Sequence, residues 1–356
     1  MAQQRIFITG VTGYLGSHLA KAISTQIPNT FIMGTTKSIQ NTQKISEFRQ
    51  VFQPNQVELI DADMFKSRDC FIRNNVLEKI DMVVHTAAPL IQTSSKGQQE
   101  EQIKMYLEST QNLIESAIRN KVKKFVFIGA ASSVIGQHPV KDKGFIYNDP
   151  NVWVEPKTIV KPNERAKILS EKICWNAIRK QDPSNSNQTQ LISLLPYFMT
   201  GPPLYKSIID ENSSCQAIAS ILNNSQYGFP EVQLPIVDVR DVVQAHLSLI
   251  KYDPLKQMSG RFLVSSESKW FSEIIEVLKS DRKVHGKKIK TRILGNFTLS
   301  FGRIINPEIS HLMPFVDQPI HIDGSEFSRV FNIKYRSAEQ SIKEMAIEIV
   351  NMQKQK

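Results

Sequence analysis

Cysteine is scarce. Cys70, Cys174 and Cys215 are the only three in 356 residues, and no two sit at a pair spacing. That excludes a zinc-binding or disulfide framework, so no metal is expected, and it suits a reducing compartment. Long apolar runs are also missing. None reaches the roughly 18 residues of a transmembrane helix, so no membrane span is expected. The first residues, MAQQRIFITG, pass almost at once into an apolar strand. We therefore expect no signal or transit peptide and a cytoplasmic location, with an organelle matrix as the alternative for an assembly subunit. No internal repeat or low-complexity tract stands out, and the Asn/Ser/Gln-rich segment Asp182 to Gln190 reads as a surface loop. Acid is in deficit: 34 Asp and Glu stand against 44 Lys and Arg, a net charge of +10. Part of the excess lies in KSDRKVHGKKIKTR, Lys279 to Arg292, where no aromatic interleaves. A solvated surface is the simpler reading there than a nucleic-acid patch.

What is present alternates. RIFIT, TFIMGTT, QVELIDAD, MVVHTAA, KFVFIGA and LISLLP are short apolar runs, separated by stretches of helical period such as LGSHLAKAISTQ and MYLESTQNLIESAIRN. Strands alternating with helices indicate an α/β fold with a parallel sheet covered on both faces.

FITGVTGYLGSHLA closes the first strand and opens the first helix. Gly10, Gly13 and Gly16 form G-x-x-G-x-x-G. The first permits a tight turn, the second lets backbone approach a pyrophosphate, and the third lets helix pack on strand. A pyrophosphate then rests on the helix N-terminus, where free N–H groups and the dipole favour anions. After the second strand an acid would hold a ribose 2′-OH and select NAD(H). FIMGTTKSIQ has no acid there but has Lys37, and a cation suits a 2′-phosphate. NADP(H) is expected ahead of NAD(H).

These motifs together resemble the extended short-chain dehydrogenase/reductases, the NAD(P)-dependent epimerase/dehydratase superfamily, and within it the dihydroflavonol-reductase-like branch. TGVTGYLG is similar to that branch's phosphate loop and brings in Thr12, Tyr14 and Leu15 beside the glycines. GTTKS is similar to its G-x-x-R-S, with Lys37 for the arginine. DADMF is similar to the turn that touches adenine, implying Asp63 and Met64. VVHTAAP resembles V-x-H-x-A-x-P and implies Thr86, Ala87 and Ala88 beside the cofactor. LPYFMTGP resembles the segment passing the nicotinamide and implies Pro196. VDVRDVVQAHL, GRFLVSSES and FNIKYRSAEQSIKEM also fit. The resemblance implies a doubly wound Rossmann domain over 1–195, with sheet contributions from 234–247, and a smaller substrate domain over 196–356.

The resemblance also implies a catalytic tyrosine, a lysine four residues later and a serine. The tyrosine passes a proton to the carbonyl as hydride arrives, the lysine lowers its pKa, and the serine holds the carbonyl. In VKPNERAKILSEKICW the lysine is Lys167, but Asn163 stands where tyrosine belongs. In FVFIGAASSVIG, Ala130 takes the serine position, with Ser132 and Ser133 just beyond. An amide is no proton donor near neutral pH. Losing a general acid costs about 10²- to 10⁴-fold, and losing a carbonyl donor costs about 10²-fold more. Lys167 is expected to bind the nicotinamide ribose still. Tyr147, His138 and Glu164 are candidate stand-ins for the acid, each more simply structural or exposed.

Three functions follow as expectations. The first is an NADP(H)-binding protein with weak or silent reductase chemistry, an accessory subunit of a larger assembly. The second is an active NADPH-dependent carbonyl reductase with rearranged groups and a small carbonyl substrate. The third, carried by charge alone, is a nucleic-acid-associated member of the fold.

Overall fold

The alternation becomes a seven-stranded sheet in the computed structural model. It describes residues 3–354 apart from 41, 53–55, 65, 72–74, 89, 90, 92, 94, 137, 138, 141, 143, 160, 183, 185–187, 227, 252–257, 282, 285–288, 296–298 and 300–311. The first elements are β1 (Gln4–Thr9), α1 (Tyr14–Gln26), β2 (Thr30–Thr36), α2 (Thr42–Val51), β3 (Val57–Asp61), β4 (Met82–His85), α3 (Lys96–Arg119) and β5 (Lys124–Ile128). Two further strands, Gln190–Pro196 and Gly260–Val264, complete the sheet beyond β5, and β4, β1, β2 and β3 follow on its other side. Every pairing described within it is parallel. β4 and β5 are buried along their whole length, as strands covered on both faces must be. Between β1 and β4 the strand order reverses, and such a switch point is where open α/β sheets bind ligands.

The chain divides into two compact units whose segments interleave: Met1–Ala130, Lys161–Leu195 and Ala245–Phe262 form one, and Ala131–Val160, Pro196–Gln244 and Leu263–Lys356 form the other. A linear cut after 195 therefore misses two exchanges, since 131–160 joins the second unit and 245–262 the first. The sheet assignment of 234–247 also needs correction. The strand Gln233–Asp238 lies in a separate three-stranded sheet with Phe198–Thr200 and Glu267–Trp270, and Gly260–Val264 is the strand that completes the seven. Both are short apolar runs, and periodicity does not say which sheet such a run joins.

The core of the first unit forms where α3 and the helix Pro162–Arg179 pack on the sheet. Phe7, Phe71, Phe125 and Phe127 are fully buried there with Leu113, Ile114 and Leu191. The second unit gives VDVRD a structural account. Asp238 is buried, receives Arg240 Nε at 2.8 Å and Nη2 at 2.6 Å, and accepts from Ser341 Oγ at 2.6 Å. Arg240 also pairs with Glu344 at 2.6 Å. The helix Ala338–Lys354 is thereby tied to the end of the Gln233–Asp238 strand. No helix among the described residues is long and apolar enough to cross a membrane. The three cysteines are buried and none is in a disulfide among the described residues, and no metal-binding cluster occurs among the described residues.

Candidate functional site

Backbone shape comes first at this site. Gly10 has φ +65°, a left-handed conformation that favours glycine, and a Cβ there would lie 3.0 Å from the Ala87 Cα. A Cβ on Gly16 would lie 2.3 Å from the Gly10 carbonyl oxygen and 2.8 Å from the Val11 Cα, so α1 meets β1 only through hydrogen. Gly13 N–H donates to the Gly10 oxygen at 2.8 Å. Gly13 is the N-cap of α1, so no side chain covers the first turn, and no acid lies in that turn. Tyr14 and Leu15 are buried in it. Thr12 is buried and donates to Thr36 Oγ1 at 3.1 Å, tying the loop to the end of β2. The cradle a side chain would fill is kept clear, and its chemistry suits a pyrophosphate.

The opposite wall of the switch point is set by Thr9, a residue the sequence reading passed over. Thr86 Oγ1 donates to the Thr9 carbonyl at 2.6 Å, Ala87 N–H donates to Thr9 Oγ1 at 3.1 Å, and that hydroxyl shares a 2.7 Å hydrogen bond with His85 Nδ1. Tyr106 O–H donates to the Ala87 carbonyl at 3.0 Å, so Ala87 is pinned from both sides. Ala88 beyond it is exposed. His85 is buried among Phe71, Tyr106, Phe125 and Phe127. Burial and then the charge of Lys167 lower it to about 3, so it is neutral at ordinary pH.

Where the resemblance implies the adenosine end, Lys37 begins the turn after β2. Asp63 follows β3 and pairs with the exposed Lys66 at 3.7 Å. Met64 is buried, and its carbonyl accepts from Ser109 Oγ at 3.2 Å. Asp61 at the end of β3 accepts from Ile39 N–H at 2.5 Å. This acid was not foreseen, because it belongs to the neighbouring strand.

The end where the resemblance implies catalytic groups differs most from expectation. Asn163 lies in the first turn of the helix Pro162–Arg179, where Pro162 sits at the favoured first position. Its side-chain oxygen accepts from the Ile91 N–H at 2.7 Å. The amide holds the segment after β4 against the helix. One turn on, Lys167 is half-buried and makes no hydrogen bond among the described residues. Burial lowers its ammonium to about 8, while Glu171 and Glu164 hold it up. Glu171 is itself committed: Arg261 Nε donates to it at 2.8 Å and Nη2 at 3.2 Å, and Trp175 Nε1 adds 3.3 Å. A charged residue inside the apolar run GRFLV is the signal that could have found Arg261, since a buried arginine must be paired. Ala130, two residues past the end of β5, carries a methyl that donates nothing. Beside it, a Cβ on Gly129 would lie 2.4 Å from Leu195 Cδ2 and 3.2 Å from Glu171 Oε2.

The structure thus joins the glycine loop, Thr86 to Ala88, Asn163 and Lys167 around one switch point. Pro196 and Tyr147 belong to the second unit. Pro196 is buried and its carbonyl accepts from Ala131 N–H at 3.0 Å. The Tyr147 oxygen accepts from Val140 N–H at 2.9 Å, and burial raises its pKa, which suits a structural tyrosine. There Ser133 is fully buried, and its carbonyl accepts from Val154 N–H at 2.9 Å. Glu164 pairs with Lys161 at 3.4 Å on the helix surface. His138 lies outside the described residues, as does part of the basic stretch Lys279 to Arg292.

The profile of the NAD dependent epimerase/dehydratase family matches residues 6–258. The chain is 22% identical to tetraketide alpha-pyrone reductase 1 of Arabidopsis thaliana, over 78% of this chain and 81% of the relative. It is 21% identical to the NADPH-dependent methylglyoxal reductase of Saccharomyces cerevisiae, over 78% and 82%. Among solved structures, Gre2 of Candida albicans in complex with NADPH superposes with a TM-score of 0.75 at 20% identity, covering 98% of this chain and 99% of that one. The UDP-glucuronic acid 4-epimerase of Bacillus cereus with NAD gives 0.71 at 17% identity, covering 98% and 99%.

Proposed function

This chain belongs to the NAD dependent epimerase/dehydratase family, and we propose that it is an NADP(H)-binding member whose carbonyl reduction is weakened for want of a proton donor. Gly10, Gly13 and Gly16 would hold the pyrophosphate, with Thr12, Tyr14 and Leu15 shaping the loop. Lys37 would face a 2′-phosphate, Asp63 and Met64 the adenine, Thr86 to Ala88 the nicotinamide end, and Lys167 its ribose. When bound, the dinucleotide supplies hydride. What the chain lacks is the group that returns a proton.

One observation carries the reading: at the position where the resemblance implies a phenol, the Asn163 amide oxygen is engaged by the Ile91 N–H at 2.7 Å. The position has a structural occupation in place of a chemical one. A cofactor-binding role, as an accessory subunit of a larger assembly, fits that arrangement.

A second reading has its own support. Lys167 is unpaired among the described residues, and its ammonium sits at about 8. A lysine lowered by burial toward working pH is a competent general acid. In that case the protein is an active carbonyl reductase, and Lys167 supplies the proton itself.

Fluorescence titration with NADPH comes first, since failure to bind overturns both readings. NADPH oxidation against a panel of aldehydes, ketones and sterones then separates them. On the first reading the wild type is slow, and Asn163→Tyr with Ala130→Ser gains about 10²-fold or more. On the second, the wild type turns over at roughly 1 to 10³ per second, its rate falls above about pH 8, and Asn163→Tyr brings no gain.

A further inference from the structure

β2 and β3 run parallel, with Thr36 opposite Asp61, and Ala62 N–H donates to the Thr36 carbonyl at 2.9 Å. The two strands therefore end together. The turn that leaves β2 carries Lys37, Ser38, Ile39 and Gln40, and it is closed by two side chains. Ser38 Oγ accepts from Gln40 N–H at 3.1 Å. Asp61 Oδ1 accepts from Ile39 N–H at 2.5 Å.

In a doubly wound sheet this is the place where the ribose end of a dinucleotide is sorted. An acid there accepts from a free 2′-OH, while a cation accommodates a 2′-phosphate. The acid is ordinarily sought just after β2 in sequence, and there this chain has Lys37. The parallel register supplies an acid from the adjacent strand instead. A turn N–H beside a lysine is what a phosphate oxygen would take, and here a carboxylate already holds that N–H.

We propose that Asp61 is a specificity-determining residue that opposes Lys37, so that the chain takes NAD(H) nearly as well as NADP(H). This rests on the dinucleotide reading above and narrows its preference. A 2′-phosphate brings a dianion up to a carboxylate, and like charges repel. A free 2′-OH can donate to the second oxygen of Asp61, because an ionised carboxylate only accepts. Asp61 is exposed, so water and salt limit the effect to about tenfold.

The test is fluorescence titration of the full chain with NADPH and with NADH at low ionic strength. The wild type, Asp61→Asn and Lys37→Ala are compared, with thermal unfolding of each. Wild-type dissociation constants are expected within about tenfold of one another. Asp61→Asn keeps an oxygen to accept from Ile39, so its Tm is expected to hold. It raises the NADPH-to-NADH affinity ratio about five- to tenfold, chiefly by tightening NADPH. Lys37→Ala moves the ratio the other way. Binding of both nucleotides with the ratio unchanged by Asp61→Asn overturns the role of Asp61 and leaves the dinucleotide reading standing. A wild-type preference for NADPH of about a hundredfold or more does the same without any variant. Binding of neither nucleotide overturns both.

Discussion

Asn163→Ala is the perturbation that bears most directly on what position 163 does. Its oxygen is the acceptor for the Ile91 N–H at 2.7 Å, and Ile91 is 8% exposed. Truncation leaves a peptide N–H near the interior without its partner, at a cost of about 1–3 kcal/mol. Asn163 itself is only half-buried, so water refills part of the gap, and about 1–2 kcal/mol is the expected loss. For a unit of this size that is a fall in Tm of about 2–8 °C. Amide hydrogen exchange reads the same bond at one site. Protection of the Ile91 amide should drop about 5- to 30-fold in Asn163→Ala, the same free energy expressed as an equilibrium constant. Asn163→Asp should retain it, because a carboxylate accepts at the same place. Asn163→Tyr should lose it, since a phenol carries its oxygen past the Ile91 N–H. If Ile91 exchanges at the same rate in wild type and Asn163→Ala, the clamp is refuted and 163 is merely a vacated catalytic position. If the clamp holds, Asn163→Tyr with Ala130→Ser gains rate while it loses stability.

Three further outcomes test the surrounding structure. Breaking the buried Glu171–Arg261 pair by Glu171→Gln leaves an uncompensated guanidinium and should cost about 3–5 kcal/mol in urea unfolding, whereas replacing both residues by methionine should cost much less. Lys167 is lowered from 10.5 to about 8, so the folded chain gives up that proton before the unfolded chain does. Wild-type stability relative to Lys167→Met should therefore rise as pH climbs from about 8 to 10.5 and be flat below about 7. Gly16→Ala drives a Cβ into the Gly10 carbonyl at 2.3 Å and should destabilise by about 1–3 kcal/mol while weakening nucleotide binding. Gly97→Ala, which meets nothing within 4 Å, should instead stabilise by about 0.4–1 kcal/mol.

The parts of this chain that could be read ahead of the structure are those whose signal is local. Gly10 and Gly16 announce a turn and a helix contact within seven residues, and both constraints appear in the backbone. The helix Pro162–Arg179 could be placed because Pro162, Asn163 and Lys167 set its start and face within two turns. The parts that could not be read join residues far apart in sequence. Ile91 meets Asn163 across 72 positions, Glu171 meets Arg261 across 90, and Asp61 reaches Ile39 through the register of two strands. Composition and period are silent on such pairs, because the same side chains in another topology would meet other partners. The strand Gln233–Asp238 shows the same limit from the other side: its apolar pattern was visible, and its sheet was not.

That difference changes how the missing tyrosine is understood. From sequence, Asn163 and Ala130 are two deletions of function beside an intact cofactor loop. In the structure the asparagine accepts a hydrogen bond, while Lys167 beside it makes no ion pair among the described residues and Glu171 is paired with Arg261. Glu171, although paired with Arg261, still raises the Lys167 pKa together with Glu164, and burial outweighs them both. Lys167 therefore keeps a charge with no ion pair among the described residues, close enough to be felt by His85. A cation left in that state attracts the anionic nucleotide whether or not it later gives up a proton. Glu171→Gln removes a carboxylate that holds the Lys167 ammonium up, so the Lys167 pKa should fall below about 8 and NADPH binding at pH 7 should weaken, with the fold losing stability at the same time.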